Sequence, residues 1–483
     1  MTTNKVSLVF GRLPLSKQVG SKVSRNFFTC QGRPTSGGNL PRSLFRSITQ
    51  NIRWSSISAN ASKSPSEAFR HALRSNTPFT ESLQGRKSTL FPETSSKSVG
   101  YWLLASAASV FGIVIFGGLT RLTESGLSIT EWRPVTGSLP PMNHEDWELE
   151  FSKYRASPEF QLLNPSMKME EFKKIYYMEW THRLWGRFVG LSFVIPAIYF
   201  LARRKVSAPM ALRIGGIAGL IGFQGFLGWW MVKSGLKDDL FAPGSHPRVS
   251  QYRLTAHLGA AFVCYTAMLW NGLAILREHR YLKDPVATQK LFEVLRSPQL
   301  KVFRLSVAGL AVLVFCTALS GGLVAGLDAG LIYNDFPWMG RGLTPPKAEL
   351  FNEFYSHRSD KSDLWWRNML ENPSLVQLDH RIIATTTFTS VIALMAYSRT
   401  SAVKQILPTA CRKGMHGVVG FVCLQVALGI TTLLYLVPLP IASAHQAGAL
   451  ALLSWVFVLG GRTWVPARAS RLVAQRLANI KTV

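Results

Sequence analysis

The stretch Glu179-Trp180-Thr181-His182-Arg183 sets a carboxylate, an imidazole and a guanidinium along one turn of a would-be helix, at the mouth of an apolar run over 184–201. Ionisable groups are costly in a bilayer, and those retained there mark binding or proton-transfer sites. A His-Arg pair at a helix end can also be a plain interfacial anchor whose charged tip reaches the headgroups. Recurrence argues against the anchor: a histidine at the entrance of an apolar helix returns at His257, His380 and His445. Four such imidazoles could hold copper or zinc, or grip a haem iron in pairs.

The elements that must position these groups are apolar. Of 483 residues 47% are hydrophobic and only 17% charged, and the apolar ones fall in runs over 101–120, 184–201, 214–232, 255–276, 302–325, 382–397, 415–437 and 441–459. Eight runs near spanning length predict an all-α polytopic membrane protein, with eight transmembrane helices arranged as two pseudo-symmetric four-helix bundles. A net charge of +28 would fit nucleic acid, but the bases sit in a leader and in alternate loops, with no basic helix interleaved with aromatics, so nucleic acid is excluded. Cys30, Cys264, Cys316, Cys411 and Cys423 show no disulfide framework or zinc spacing and read as small apolar packing residues.

Residues 1–66 hold ten Lys or Arg, and the first acid is Glu67, which reads as a mitochondrial transit peptide. A polar connector over 67–99 follows, then an N-terminal four-helix half (100–276), a matrix loop (277–300), a C-terminal half (301–463) and a basic matrix tail (464–483). The segments 203–213, 277–304, 399–413 and the tail are basic, so they share the matrix side with both termini. The longer loops 123–178 and 326–377 carry more acids than bases and face the intermembrane space. The protein is expected in the mitochondrial inner membrane.

The two halves repeat each other. Gly117-Gly118-Leu119 followed by Glu124, Glu131-Trp132 and Pro140-Pro141 matches Gly321-Gly322-Leu323 followed by Asp328, Asp335-Phe336 and Pro345-Pro346. Thr181-His182-Arg183 matches Asp379-His380-Arg381, Gln224 matches Gln425, and Ala256-His257 matches Ala444-His445. A parallel duplication brings all four histidines to one membrane face. Two histidines facing each other on neighbouring helices suit haem iron, and the aromatic and glycine content suits a large flat ligand better than copper or zinc. Gly216, Gly219, Gly222, Gly225 and Gly228 form a smooth stripe for close helix packing or for a macrocycle. Arg183 and Arg381 stand where a guanidinium could hold a haem propionate, or snorkel instead. His71, His144, His246, His279 and His357 read as solvated. Three residues before His182 stands Glu179, and three before His380 stands Gln377, so only the first half offers a proton-transferring group. Desolvation beside an apolar macrocycle is expected to favour its protonated form.

The set EWTHRLWGR (179–187), LTAHL (254–258), LDHR (378–381) and AHQ (444–446), with GGLTRLTESGLSITEW (117–132), resembles the heme A synthase family over about residues 100–460. The resemblance implies an eight-helix pseudo-twofold bundle that oxidises the ring-D methyl of haem O to a formyl group, giving haem A for cytochrome c oxidase. It implies that His182 and His257 hold the iron of the substrate haem O, that His380 and His445 hold a haem b, and that Glu179 is the catalytic carboxylate. It further implies a farnesyltransferase supplying haem O, a ferredoxin-type electron donor on the matrix side, oxidase assembly factors, membrane lipid and a possible homo-oligomer. The cysteine pair of some bacterial members is missing from the first outer loop here, so no thiol role carries over. A dihaem b-type electron carrier and a haem chaperone are the competing readings; neither needs an acid beside one haem only.

Overall fold

The computed structural model describes residues 91–241 and 246–481, so the expected leader, the start of the connector, His71 and Cys30 lie outside the described residues. Eight long helices carry the fold: α1 Lys97–Leu122, α2 Met169–Ala202, α3 Ala208–Val232, α4 Gln251–Lys283, α5 Lys301–Gly326, α6 Pro373–Ser398, α7 Thr409–Leu434 and α8 Leu439–Thr463. The described residues contain no β-strand. Seven helices are long and apolar enough to cross a membrane. The remaining one, α6, has the length but carries Asp379-His380-Arg381 in its second turn, and Thr385, Thr386, Thr387 and Thr389 beyond it. Each of these hydroxyls donates to the carbonyl four residues back, at 2.7–3.0 Å, and Thr387 also bonds Thr317 of α5 at 2.7 Å.

Helix α1 lies against α2 and α4, and α3 closes the set by touching both; α5 lies against α6 and α8, and α7 closes that set in turn. Contacts α4–α5, α1–α8 and α4–α8 join the two sets. One buried apolar core runs through them, with Leu103, Phe193, Phe262, Met268 and Phe303 fully enclosed. On the outside, Leu191, Ile195 and Ile198 of α2 are exposed at helical spacing, the pattern of a lipid-facing stripe. Between helices without a hydrophobic driving force, polar contacts help fix register. Pro196 has no N–H for the Ser192 carbonyl, and Trp102 Nε1 of α1 donates there at 3.3 Å.

Segments read as loops prove structured. Before α2, helices His144–Arg155 and Pro158–Leu163 start on Asn143 and Ser157, whose side chains accept from Asp146 N and Phe160 N. They enclose a second core of Trp147, Phe151, Tyr154, Phe172 and Tyr176. Before α6 lies the helix Leu364–Glu371. At the opposite end, Pro285–Arg296 and Ala467–Lys481 pack together through Phe292, Ala469 and Val473, so most of the expected loop 277–304 and tail 464–483 is helical. His279, expected to be solvated in a loop, sits on α4 and bonds the Ser95 carbonyl through Nε2 at 2.8 Å.

Candidate functional site

The four histidines do not stand at helix entrances. Helix α2 begins at Met169, with Glu170 and Glu171 in a first turn where acids favour the start, so His182 lies well inside it. His257, His380 and His445 lie on the second turn or later of α4, α6 and α8. They meet by halves: His182 faces His257, and His380 faces His445, each pair within electrostatic reach.

Each ring is seated against a glycine. A Cβ added to Gly117 would lie 2.8 Å from Cε1 of His182, and one on Gly321 would lie 3.3 Å from Cε1 of His380. Gly228 and Gly429 do the same for His257 and His445, at 3.4 and 3.0 Å. A side chain at these positions would push the imidazole out of place. Gln224 and Gln425 hook the His257 and His445 backbone carbonyls through Nε2, at 3.3 and 3.0 Å. The turns after α1 and α5 also correspond: Glu124 and Asp328 both adopt left-handed backbone, with φ of 49° and 53°. The repeat legible in the sequence is thus matched by local geometry.

Two contrasts distinguish the pairs. The first concerns the ring nitrogens. Nδ1 of His380 shares a hydrogen bond with Ser320 Oγ at 2.7 Å, whereas Nδ1 of His182 is buried without a partner. The residue matching Ser320 is Phe116, whose ring lies parallel to the imidazole of His182 with centroids 6.4 Å apart. Nδ1 atoms of His257 and His445 are likewise unpartnered.

The second contrast is the acid. Glu179 is only 2% exposed; its Oε2 accepts from Ser128 Oγ (2.7 Å) and Ile129 N (2.8 Å), and its Oε1 accepts from Arg183 Nη2 (2.6 Å) and Nε (3.0 Å). All four of these hydrogen bonds come from donors, so the side chain is held on both oxygens. Gln377, 3% exposed, instead donates from Nε2 to the carbonyls of Ala329 (2.8 Å) and Tyr333 (3.3 Å) and accepts from Arg381.

The arginines are turned towards the loops. Arg183 donates to the carbonyls of Ile129 and Glu131, and Arg381 to those of Tyr333, Asp335, Pro337 and Trp338. Their donors clamp the segment entering each site, which leaves little of either fork for a propionate. Between the halves, Asp328 accepts from Arg121 (2.7 Å) and Arg248 (3.3 Å). The glycine stripe of α3 packs on no helix: an added Cβ at Gly216, Gly219, Gly222 or Gly225 would meet nothing within 4 Å among the described residues, and only Gly228 approaches a histidine.

Ser128, Ser320 and Glu159 were missed in the sequence. Only the repeat alignment could have flagged Ser320, through its pairing with Phe116. Glu159 is buried, bonds the Tyr154 hydroxyl at 3.1 Å and lies within electrostatic reach of Glu179 and Glu124; burial pushes its carboxyl up to about 8. His416 bonds its own helix at Arg412 O through Nδ1 and joins neither pair.

Among the described residues no three His, Cys, Asp or Glu side chains gather as metal ligands. No hydrogen bond engages Nε2 of any of the four, and none of these atoms is sealed without a partner. Two facing imidazoles with free Nε2 atoms fit an iron whose remaining ligands come from a macrocycle; they do not complete a tetrahedral zinc or copper site.

The family of cytochrome oxidase assembly proteins described as COX15-CtaA matches residues 100–457. Heme A synthase COX15 of Saccharomyces cerevisiae is 53% identical over 379 residues, which is 78% of each chain. Heme A synthase COX15 of Homo sapiens is 44% identical over 373 residues, 77% of this chain and 84% of the human one. A heme A synthase-mitochondrial ferredoxin fusion protein of Schizosaccharomyces pombe is 50% identical over 371 residues, 76% of this chain and 60% of the fusion.

Proposed function

Because the chain belongs to the mitochondrial heme A synthase branch of the COX15-CtaA family, we propose that it oxidises the ring-D methyl group of haem O to a formyl group, giving haem A for cytochrome c oxidase. In this reading His182 and His257 hold the substrate haem O, and His380 and His445 hold a resident haem b. The observation that carries the division is the buried carboxylate of Glu179 beside the first pair, where the second has the amide of Gln377. An amide keeps shape and hydrogen bonding but cannot take a proton.

When bound, haem O would supply the methyl group, whose conversion to a formyl group removes four electrons and adds one oxygen atom, with dioxygen as the terminal oxidant, and haem b would relay electrons. The chain's own residues do the rest. Glu179, held in place by Ser128, Ile129 and Arg183, accepts a proton released from the methyl carbon as it is oxidised. Arg183 keeps the carboxylate aimed and the loop 129–131 closed over it. His182, with no partner at Nδ1, is the imidazole free to turn away, while the Ser320 bond holds His380 in place. That difference sets His182 apart from its counterpart His380, while His257 and His445 are alike in lacking a partner at Nδ1.

Helix α6 is read as the eighth crossing, and the two sets of four helices as pseudo-symmetric bundles about an axis along the membrane normal. Their matching neighbour order, glycine seats and left-handed turns support this. The basic segments lie at the end away from the histidines, which supports inner-membrane placement with both termini in the matrix. The name of the fission yeast fusion supports a ferredoxin-type electron donor, and the matrix is its natural side. Purified chain supplied in air with haem O, a mitochondrial ferredoxin, its reductase and NADPH is expected to yield haem A on chromatography. Unchanged haem O with a reduced, haem b-loaded protein would contradict the proposal.

A further inference from the structure

At the end of the bundle away from the histidines, α4 and α8 finish side by side, with the Arg277 guanidinium between them and that of Arg462 turned to the start of α7. The Arg277 guanidinium occupies the space that a Cβ on Gly461 of α8 would fill. It lies 5.2 Å from the centroid of the Trp270 ring, and its Nε is buried without an acceptor. Among the described residues it makes no hydrogen bond or ion pair. Arg462, next to Gly461, is close enough to repel it, and the only bond that Arg462 donates among the described residues is from Nη1 to Ala410 O at 3.0 Å. The neighbouring acid, Glu278, is turned to Arg468 at 3.3 Å. Tyr281, four residues beyond Arg277, lies near it with a hydroxyl that bonds no described residue.

Two like charges near each other and partly buried are unfavourable unless an anion completes them. Their planar forks, with a phenol beside them, match phosphate oxygens. The position indicates the source. The amphipathic helices Pro285–Arg296 and Ala467–Lys481 lie at this end, burying Phe292, Ala469 and Val473 and exposing Arg471 and Arg476, the arrangement of helices at headgroup depth. We propose that Arg277, Arg462 and Tyr281 bind the phosphate group of an anionic phospholipid in the leaflet at this end. The site is independent of the histidine pairs and of the reaction proposed for them.

The test uses the full chain purified in non-ionic detergent, with native mass spectrometry and thermal unfolding as readouts. The probes are tetra-acyl diphosphatidylglycerol, phosphatidylcholine and inorganic phosphate. The wild type is expected to retain diphosphatidylglycerol and gain thermal stability from it, with no gain from the other two. Arg277→Gln is expected to lower retention ~10-fold, the loss of charge-assisted bonds, while Arg280→Gln, an equal charge loss on the exposed face of α4, retains it. Should Arg277→Gln fail to insert, Arg277→Lys carries the test: it keeps the charge without the fork and is expected to lower retention severalfold. Equal retention by wild type and the Arg277 variants, or equal loss in Arg280→Gln, would overturn the site. Equal protection by inorganic phosphate would overturn the lipid as its source.

Discussion

Replacing Glu179 by Gln separates proton chemistry from haem binding, and its cost can be worked from the contacts. The carboxylate accepts four hydrogen bonds, two on each oxygen. An amide keeps one oxygen. If that oxygen stays with Arg183, the new NH2 faces the Ser128 hydroxyl, which can turn to accept, and the Ile129 N–H, which cannot. One buried N–H left unpaired costs ~1–3 kcal/mol, and the change from charged to neutral acceptor at Arg183 costs about 1 kcal/mol more. A loss of ~2–4 kcal/mol is within the stability of most folded proteins, so the variant should insert and load both haems. Removing a positioned proton acceptor lowers a rate by ~10²–10⁴-fold, or about 3–6 kcal/mol of barrier. Haem A formation by reconstituted Glu179→Gln should therefore fall at least ~100-fold, with haem b absorbance and bound haem O unchanged. If the carboxylate acts mainly in the second oxidation, the half-oxidised alcohol should accumulate in place of haem O. Haem A output within about threefold of wild type would remove the carboxylate from the mechanism, since even a weak general base contributes more than that.

Four further outcomes are expected. His380→Ala or His445→Ala should abolish the haem b spectrum, and His182→Ala or His257→Ala should spare it while abolishing product, with inserted protein measured alongside. Ser320→Ala should weaken haem b retention by ~10-fold or more, since it removes the bond that orients a ligand, while Phe116→Ser should leave haem b untouched and slow haem A formation by pinning His182. Glu159 binds its proton more tightly folded than unfolded, so stability should fall as pH rises from about 4.5 to about 8 and then level off; Glu159→Gln should flatten that slope in thermal unfolding followed by Trp147 fluorescence. Protease added to mitoplasts should cut within 123–178 or 326–377 and spare a C-terminal tag.

Much of this was legible because a bilayer imposes a simple pattern. The long apolar runs located the helices, and acid, His and Gln landmarks in repeated order picked out the histidines that the fold brings near each other by halves. Helix boundaries were not legible. Apolar length marks only the membrane portion, so α2 was expected from 184 although its capped, acidic first turn begins at Met169. The polar helices outside the apolar runs, such as His144–Arg155, were hidden for the same reason. Alternative roles of one residue type were also beyond the sequence. Arg183 and Arg381 read equally as propionate contacts or snorkelling anchors, and tertiary packing gives them loop carbonyls instead. The glycine stripe of α3 had the spacing of a packing face yet faces no helix, because α2 and α4 lie on its other sides. The Ser320–His380 bond could not be seen before the repeat alignment was given coordinates.

Chromatography of the pigments extracted from the purified chain, prepared with haem O supplied, tests most directly whether one half holds a substrate and the other a resident haem. The expected extract contains haem b together with haem O or haem A, and the His380→Ala chain yields the second fraction without haem b. An extract holding haem b alone, from wild type and from the His182→Ala chain alike, would contradict a substrate site in the first half and return the chain to the class of electron carriers.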